Sequence, residues 1–298
     1  MSTTLYAFES AASDNKQSES ATLTTDNVIR MIPPQSDADA SHSYLLDLLT
    51  LALSATEQEY GKTRIELLPT SYNQRIILSL LNHNGILDVV TSAPTTEREE
   101  KFRSARVPLM RGLLGYRMML IKPEDEEKFR NIKSEEELKK LRSCQASHWP
   151  DADIMEQAGY GVVRNPDYSQ LFFMLLDGDC DYFPRGVAEG YAEAVNHNKT
   201  YPEQPLLAFD DILVHYPLPL YFYTSHKNFE LAARLERGLE KSIADGSFDA
   251  LLARSEVTKV LFPLSKWRNK TIYRLPNPLL PKSVPLEKKH LWIDLANQ

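Results

Sequence analysis

The chain has 298 residues, 42% of them hydrophobic, and a formal net charge of -7. That length can supply two domains with a core each. The acidic balance argues against a nucleic-acid binder, which needs a basic face to release counterions from phosphates, and likewise against an anionic lipid surface.

The amino terminus, residues 1–23, is a polar, Ser/Thr-rich stretch that reads as a flexible lead-in and lacks the basic start and apolar run of a secretory signal. Val28 to Pro33 has strand composition. Tyr44 to Ala55 spaces Leu45, Leu48, Leu49 and Leu53 as a helix, and with Asp47 in it this run is too short and too interrupted to span a bilayer. Arg64 to Pro69 reads as a second strand, Ile76, Ile77, Leu80 and Leu81 as the apolar face of a helix closed near Gly85, and ILDVV after it as a third strand. Gly115 to Ile121 is a further strand, followed by a charged stretch with the character of a solvated face. Pro150 can open a helix and Gly159 can end it, because proline needs no amide partner in a first turn and glycine tolerates the left-handed turn after a last one. Leu171, Phe172, Leu175 and Leu176 mark the next helix. Pro217 and Pro219 break the extended run LVHYPLPLYFYTS, and two helices hinged at Gly246 follow. Four prolines from Pro276 to Pro285 predict a tail lying extended over the surface. Strands alternating with helices predict an α/β fold with mainly parallel sheets.

Cys144 and Cys180 have no metal-ligand spacing and make no disulfide framework. They read as ordinary buried thiols, with a single disulfide as the alternative.

One phrase occurs twice. IILSLLNHNGILDVVTSAPTTER runs from apolar helix through glycine and aspartate into a short strand and then reaches Arg98; LFFMLLDGDCDYFPRG does the same and reaches Arg185. Ligands of open parallel sheets collect beyond the carboxyl ends of the strands, so each arginine is expected at the binding edge of its own segment, and both in one cleft if the edges face each other.

These phrases resemble the type II periplasmic solute-binding proteins of ABC transporters, in particular the amino-acid-binding branch. YLLDLL is similar to the family's first-helix phrase, with Ser43 where glycine is usual. RIILSLLNHNGILDVV, TTEREEKF, LFFMLLDGDCDYF and ADGSFDALLARS follow in the family's order. QASHWPD, DYFPRG and NPLLPKSVPL further resemble a divergent subgroup. The resemblance implies a two-lobed α/β fold with two hinge crossings: lobe 1 over 24–111 and 217–298, lobe 2 over 112–216. It also implies a periplasmic location, with the cytosol as the alternative, and a monomer that captures a small molecule by hinge closure and presents it to an ABC transporter permease. A membrane sensor is the alternative partner.

By that resemblance Arg98 matches the arginine that grips a ligand carboxylate, but Ala93 stands where an assisting hydroxyl is usual. Gly186 stands where the family places the aspartate that holds the ligand's ammonium. With Arg185 beside that gap, an anionic or polar ligand is expected rather than a free α-amino acid. Trp149 is expected to pack over the ligand, and the amides near Ser147 and His148 to donate to an anion at the helix start. Gln145, from the same phrase, Tyr72 and Gln74, before the first-lobe helix, are further cleft candidates. Each has a structural reading beside it: surface ion pairs with Glu97, Glu99 or Glu100 for Arg98, neutralisation by Glu189 or Asp181 for Arg185, and core packing for Trp149.

An enzyme on the same fold, such as a dehydratase, is the rival class; Glu189 is the one candidate general acid or base. No nucleophile elbow, metal cluster or phosphate-cradling glycine loop is evident, so neither a cofactor nor a metal is expected.

Overall fold

The structure, a computed structural model, describes residues 27–33, 40–69, 74–83, 86–147 and 149–297. Among the described residues eleven strands form four hydrogen-bonded groups, which two isolated bridges join into two sheets. In the first, β1 (Asn27–Met31) pairs in parallel with β2 (Thr63–Leu67) and is bridged through Met31 and Val89 to β3 (Val90–Ser92). β4 (Phe102–Ala105) and β3 are joined by β10 (Tyr221–Ser225), which runs antiparallel to both. In the second, β6 (Arg142–Ala146) pairs in parallel with β7 (Gly161–Asn165) and is bridged through Ser143 and Tyr182 to β8 (Phe183–Gly186). β5 (Tyr116–Ile121) lies antiparallel between β8 and β9 (Leu207–His215), and β11 (Thr271–Arg274) adds in parallel to β9.

Each sheet is therefore parallel apart from one strand, β10 in the first and β5 in the second. β5 enters the second sheet after the first crossing, over residues 106–115, and β10 re-enters the first after the second crossing, over 216–220. Prolines 217 and 219 sit in that second crossing, where no ladder needs their amides. Arg98 follows β3 in the helix Thr96–Lys101, Trp149 follows β6 just before the helix that Pro150 opens, and Arg185 lies in strand β8 itself, paired with Met118 of β5.

Helices cover the sheets as the apolar spacing predicts. Ala40–Ser54 and Phe229–Ala244 bury Leu48, Leu49, Leu235 and Leu239 against the first sheet, and Tyr168–Asp177 buries Leu171 and Leu175 against the second. The helix at Pro150–Gln157 starts on its proline, and Gly159, Gly178 and Gly246 all take the positive φ of a helix end. Gly85, the predicted end of the earlier helix, lies outside the described residues. The charged stretch forms two short helices, Glu126–Arg130 and Glu135–Lys139, that turn Phe129 and Leu138 inward.

Two expectations are corrected. Cys144 and Cys180 form a disulfide, with Cα atoms 5.6 Å apart: β6 and the turn before β8 are neighbours in the sheet, a proximity that sequence spacing does not reveal. The proline-rich tail does not simply lie over the surface. Leu291 and Leu295 are fully buried, and Ile293 N donates to Arg111 O at 2.7 Å. Arg111 in turn donates to His290 O and Leu291 O, Tyr116 Oη to Asp294, and Asn277 to Pro217 O. Because the tail's carbonyls and amides find partners on both crossings, it clasps the hinge. The segment 217–298, expected in lobe 1, also lends β11 to the second sheet.

Candidate functional site

On the first-sheet side, Thr95 caps the helix Thr96–Lys101 and its Oγ1 accepts from Arg98 N at 3.2 Å, which fixes Arg98 in the first turn. The half-buried guanidinium donates to Ala93 O at 2.7 Å. Its acidic neighbours are engaged elsewhere, Glu97 by Lys101 and Glu99 by Arg106, and among the described residues no carboxylate lies in ion-pair range of Arg98. At the end of β3, the buried Ser92 Oγ has no hydrogen-bond partner among the described residues.

The second-sheet side is built around Arg185, which is 8% exposed. Its Nε and Nη2 each meet an oxygen of Glu193 at 2.6 Å, a two-pronged pair, and Nη2 lies 3.3 Å from Glu189 Oε2. Its Cζ stands 4.7 Å from the centre of the Trp149 ring and 5.1 Å and 5.5 Å from those of Phe183 and Tyr168. Burial works against the charge, but Glu193 and Glu189 outweigh it and hold the guanidinium protonated. Trp149 therefore packs over a protein cation, and Glu193, eight residues on, is the main neutralising partner rather than Asp181. Asp181 pairs with Lys128.

A second buried arginine, Arg117 of β5, completes the cluster. Its Nη2 meets Asp151 Oδ1 at 2.6 Å, its Nε donates to Tyr216 Oη at 3.1 Å, and Tyr216 donates to Asp151 at 2.5 Å. Burial opposes this charge too and is outweighed by Asp151, Tyr216 and Glu189; burial also drives the Tyr216 phenol well above its ordinary value. Arg117, Asp151, Tyr216 and Glu193 were not among the sequence candidates. A charged residue in the apolar strand YRMMLI was the available signal, since a buried arginine demands a carboxylate.

Glu189 links the two arginines: Oε2 lies 3.8 Å from Arg117 Nη1, 3.3 Å from Arg185 Nη2, and accepts from Gly186 N at 3.1 Å. A Cβ placed on Gly186 would meet the same oxygen at 2.8 Å. Glu189 thus fills, from three residues on, the space in which a side chain at position 186 would begin. Its side chain stays 40% exposed. Two guanidiniums face three carboxylates (Asp151, Glu189 and Glu193), so the cluster carries one negative charge in excess and its outermost group is a carboxylate.

The remaining candidates fall differently. Gln145 is fully buried, its Nε2 3.3 Å from Met155 Sδ and its Oε1 without a partner among the described residues. Ser147 is exposed, but its amide donates to Asn165 O and that of Trp149 to Ala146 O, so neither is available to an anion at the helix start. Tyr72, His148 and the side chain of Gln74 lie outside the described residues.

A cavity of about 250 Å³ opens where the two crossings meet the turn after β8. Tyr44 and Leu45, Met110 and Leu113, Leu220, and Gly186 to Glu189 contribute to its wall, so elements of both sheets bound it.

No protein-family model matches the chain, and no curated protein sequence matches it. Solved structures do. The probable amino-acid ABC transporter extracellular-binding protein YtmK from Bacillus subtilis superposes with a TM-score of 0.56 at 13% identity, over 78% of this chain and 99% of that one. A second Bacillus subtilis protein, YckB, gives 0.50 at 17% identity over 77% and 89%. The periplasmic VFT2 domain of Bordetella pertussis BvgS gives 0.50 at 14% over 76% and 93%. At such identities the likeness carries the fold: the chain has the two-lobed, Venus-flytrap architecture of type II solute-binding proteins.

Proposed function

We propose that the chain captures a small amine-bearing molecule of amino-acid size between its lobes, holding the ammonium on Glu189 and a carboxylate, where the ligand has one, on Arg98. The observation that carries this reading is Glu189: a half-exposed carboxylate on a cavity bounded by both lobes, occupying the space of the absent side chain at 186. The expectation of an anionic or polar ligand rested on the gap at Gly186 with an unneutralised Arg185 beside it. With Arg185 engaged by Glu193 and the cluster in negative excess, a cationic group is the better complement.

The mechanism is hinge closure. A ligand touching both lobes stabilises the closed form by the difference between its contacts in the closed and open forms. The lobes take residues 24–111 with 217–298, and 112–216, with β11 crossing to the second. The protein works as a monomeric carrier that presents the closed form to an ABC-type permease outside the cytoplasm. The Cys144–Cys180 disulfide supports such an oxidising compartment. Arg185, Trp149 and Glu193 shape and hold the site rather than touch the ligand.

A melting-temperature panel of amino acids, amines, dicarboxylates and short peptides, followed by small-angle scattering of the hits, tests this. Amines and amino acids raise the melting temperature by mass action and shrink the radius of gyration. A panel in which only dicarboxylates act contradicts the reading.

A further inference from the structure

The cavity beside Glu189 differs from the rest of the site in having almost no polar surface. Leu45, Leu114 and Leu220 are half-buried on it, Met110 and Leu113 are buried, and Val187, Ala188 and Val257 add further hydrocarbon to the wall. Tyr44 presents its ring only, because its hydroxyl donates to Leu109 O at 2.5 Å. Among the described lining residues, Glu189 is the one charged group. We propose that this cavity is the specificity sleeve of the site: it takes the apolar body of a primary amine, amino acids with hydrocarbon side chains included, while Glu189 at its wall pairs with the ammonium. This rests on the amine reading above and narrows it to a substrate class.

The chemistry follows from the lining. A second charge or an amide on the ligand's body would enter a space whose walls offer it no hydrogen bond, and an unpaired buried polar group is costly. Each methylene that enters instead leaves water for hydrocarbon. Leucine carries three more carbons than alanine, and at the usual worth of a buried methylene it should bind roughly 50-fold more tightly. At about 250 Å³ the space lies just below the range of sites for drug-sized ligands, roughly 300 to 1,000 Å³, which suits a ligand of this size.

The test uses the full chain and calorimetry with leucine, phenylalanine and 3-methylbutylamine, against alanine, glutamine, glutamate and lysine. Leucine and 3-methylbutylamine should both bind, leucine roughly 50-fold above alanine. Loss of the bare amine alone would restrict the class to amino acids and overturn the claim that the ammonium and the apolar body suffice. Ala188→Phe, which fills the sleeve, should weaken leucine at least tenfold. Should that variant fail to fold, Val257→Ala, which enlarges the sleeve, should move the preference from leucine toward phenylalanine. Glutamine or glutamate binding above leucine, and lost in Glu189→Gln, would overturn the sleeve and leave the amine reading standing. Binding of no member of the panel would overturn both.

Discussion

Replacing Arg185 with methionine removes the charge and keeps much of the hydrocarbon, so the result isolates the ion cluster. Arg185 is 8% exposed and bonded at 2.6 Å to both oxygens of Glu193, whose side chain is 18% exposed and also accepts from Tyr168 Oη at 2.7 Å. Without the guanidinium, Glu193 keeps one neutral donor among the described residues and Glu189 keeps the distant Arg117. Stranding one member of a buried pair costs about 3–5 kcal/mol, against near zero to 1 for a surface pair. Arg185→Met should therefore lower stability by about 3 kcal/mol or more, with the double variant Arg185→Met, Glu193→Gln recovering at least half of the loss. Urea denaturation followed by circular dichroism reads both. A loss below about 1 kcal/mol in the single variant, or no recovery in the double, would refute the assignment of Arg185 to the scaffold and return it to the ligand.

Other elements make equally definite demands. Burial, with Arg274 beside it, pushes the His215 imidazole down to about 4. The unfolded chain, titrating near 6.5, therefore binds more protons between those values. Stability from this group is present above about pH 6.5 and falls as pH drops toward 4, by roughly 3 kcal/mol, and His215→Gln should flatten the pH dependence of the urea midpoint above pH 5. The Cys144–Cys180 bridge spans 36 residues of sequence, so reducing it, or the paired serine variant, should cost about 2–4 kcal/mol in denaturant titrations. A Cβ on Gly112 would lie 2.6 Å from Trp292 Cε3 at a φ of 81°, so Gly112→Ala should lower the melting temperature by several degrees by unseating the tail from the first crossing, which limited proteolysis of the tail would register.

Much of the fold was legible because its signals are local. The leucine spacing of residues 45–53 and of 171–176, Pro150 with Gly159, and the prolines at 217 and 219 each state a local preference that the fold obeys. β6 and β7 escaped because their residues, RSCQA and GVVRN, alternate too weakly to read as strands, and only sheet neighbours make them so. The helix Gly190–Thr200 carries Asn196, His197 and Asn198 and shows little apolar stripe. The repeated phrase located Arg98 and Arg185 at strand ends but could not supply their partners. Glu193 reaches Arg185 across a turn, and Asp151 reaches Arg117 from a helix 34 positions on in a separate layer of the lobe. The disulfide and the tail's hold on Arg111 were invisible for the same reason, since both join residues that only the assembled sheets bring together. That Gly186 offers no side chain could be read from the sequence, but not that Glu189 Oε2, three residues on, lies where one would begin.

The most direct test of the account compares calorimetric titrations of the leading amine or amino acid from the panel on the unaltered protein and on Glu189→Gln. Glutamine keeps an acceptor for Gly186 N but not the charge, so the ligand loses one charge-assisted bond, about 1.5–3 kcal/mol, and affinity should drop between ten- and a hundredfold at unchanged stoichiometry. Equal affinity in the two proteins, with the variant folded, would contradict the claim that Glu189 holds the ligand's ammonium.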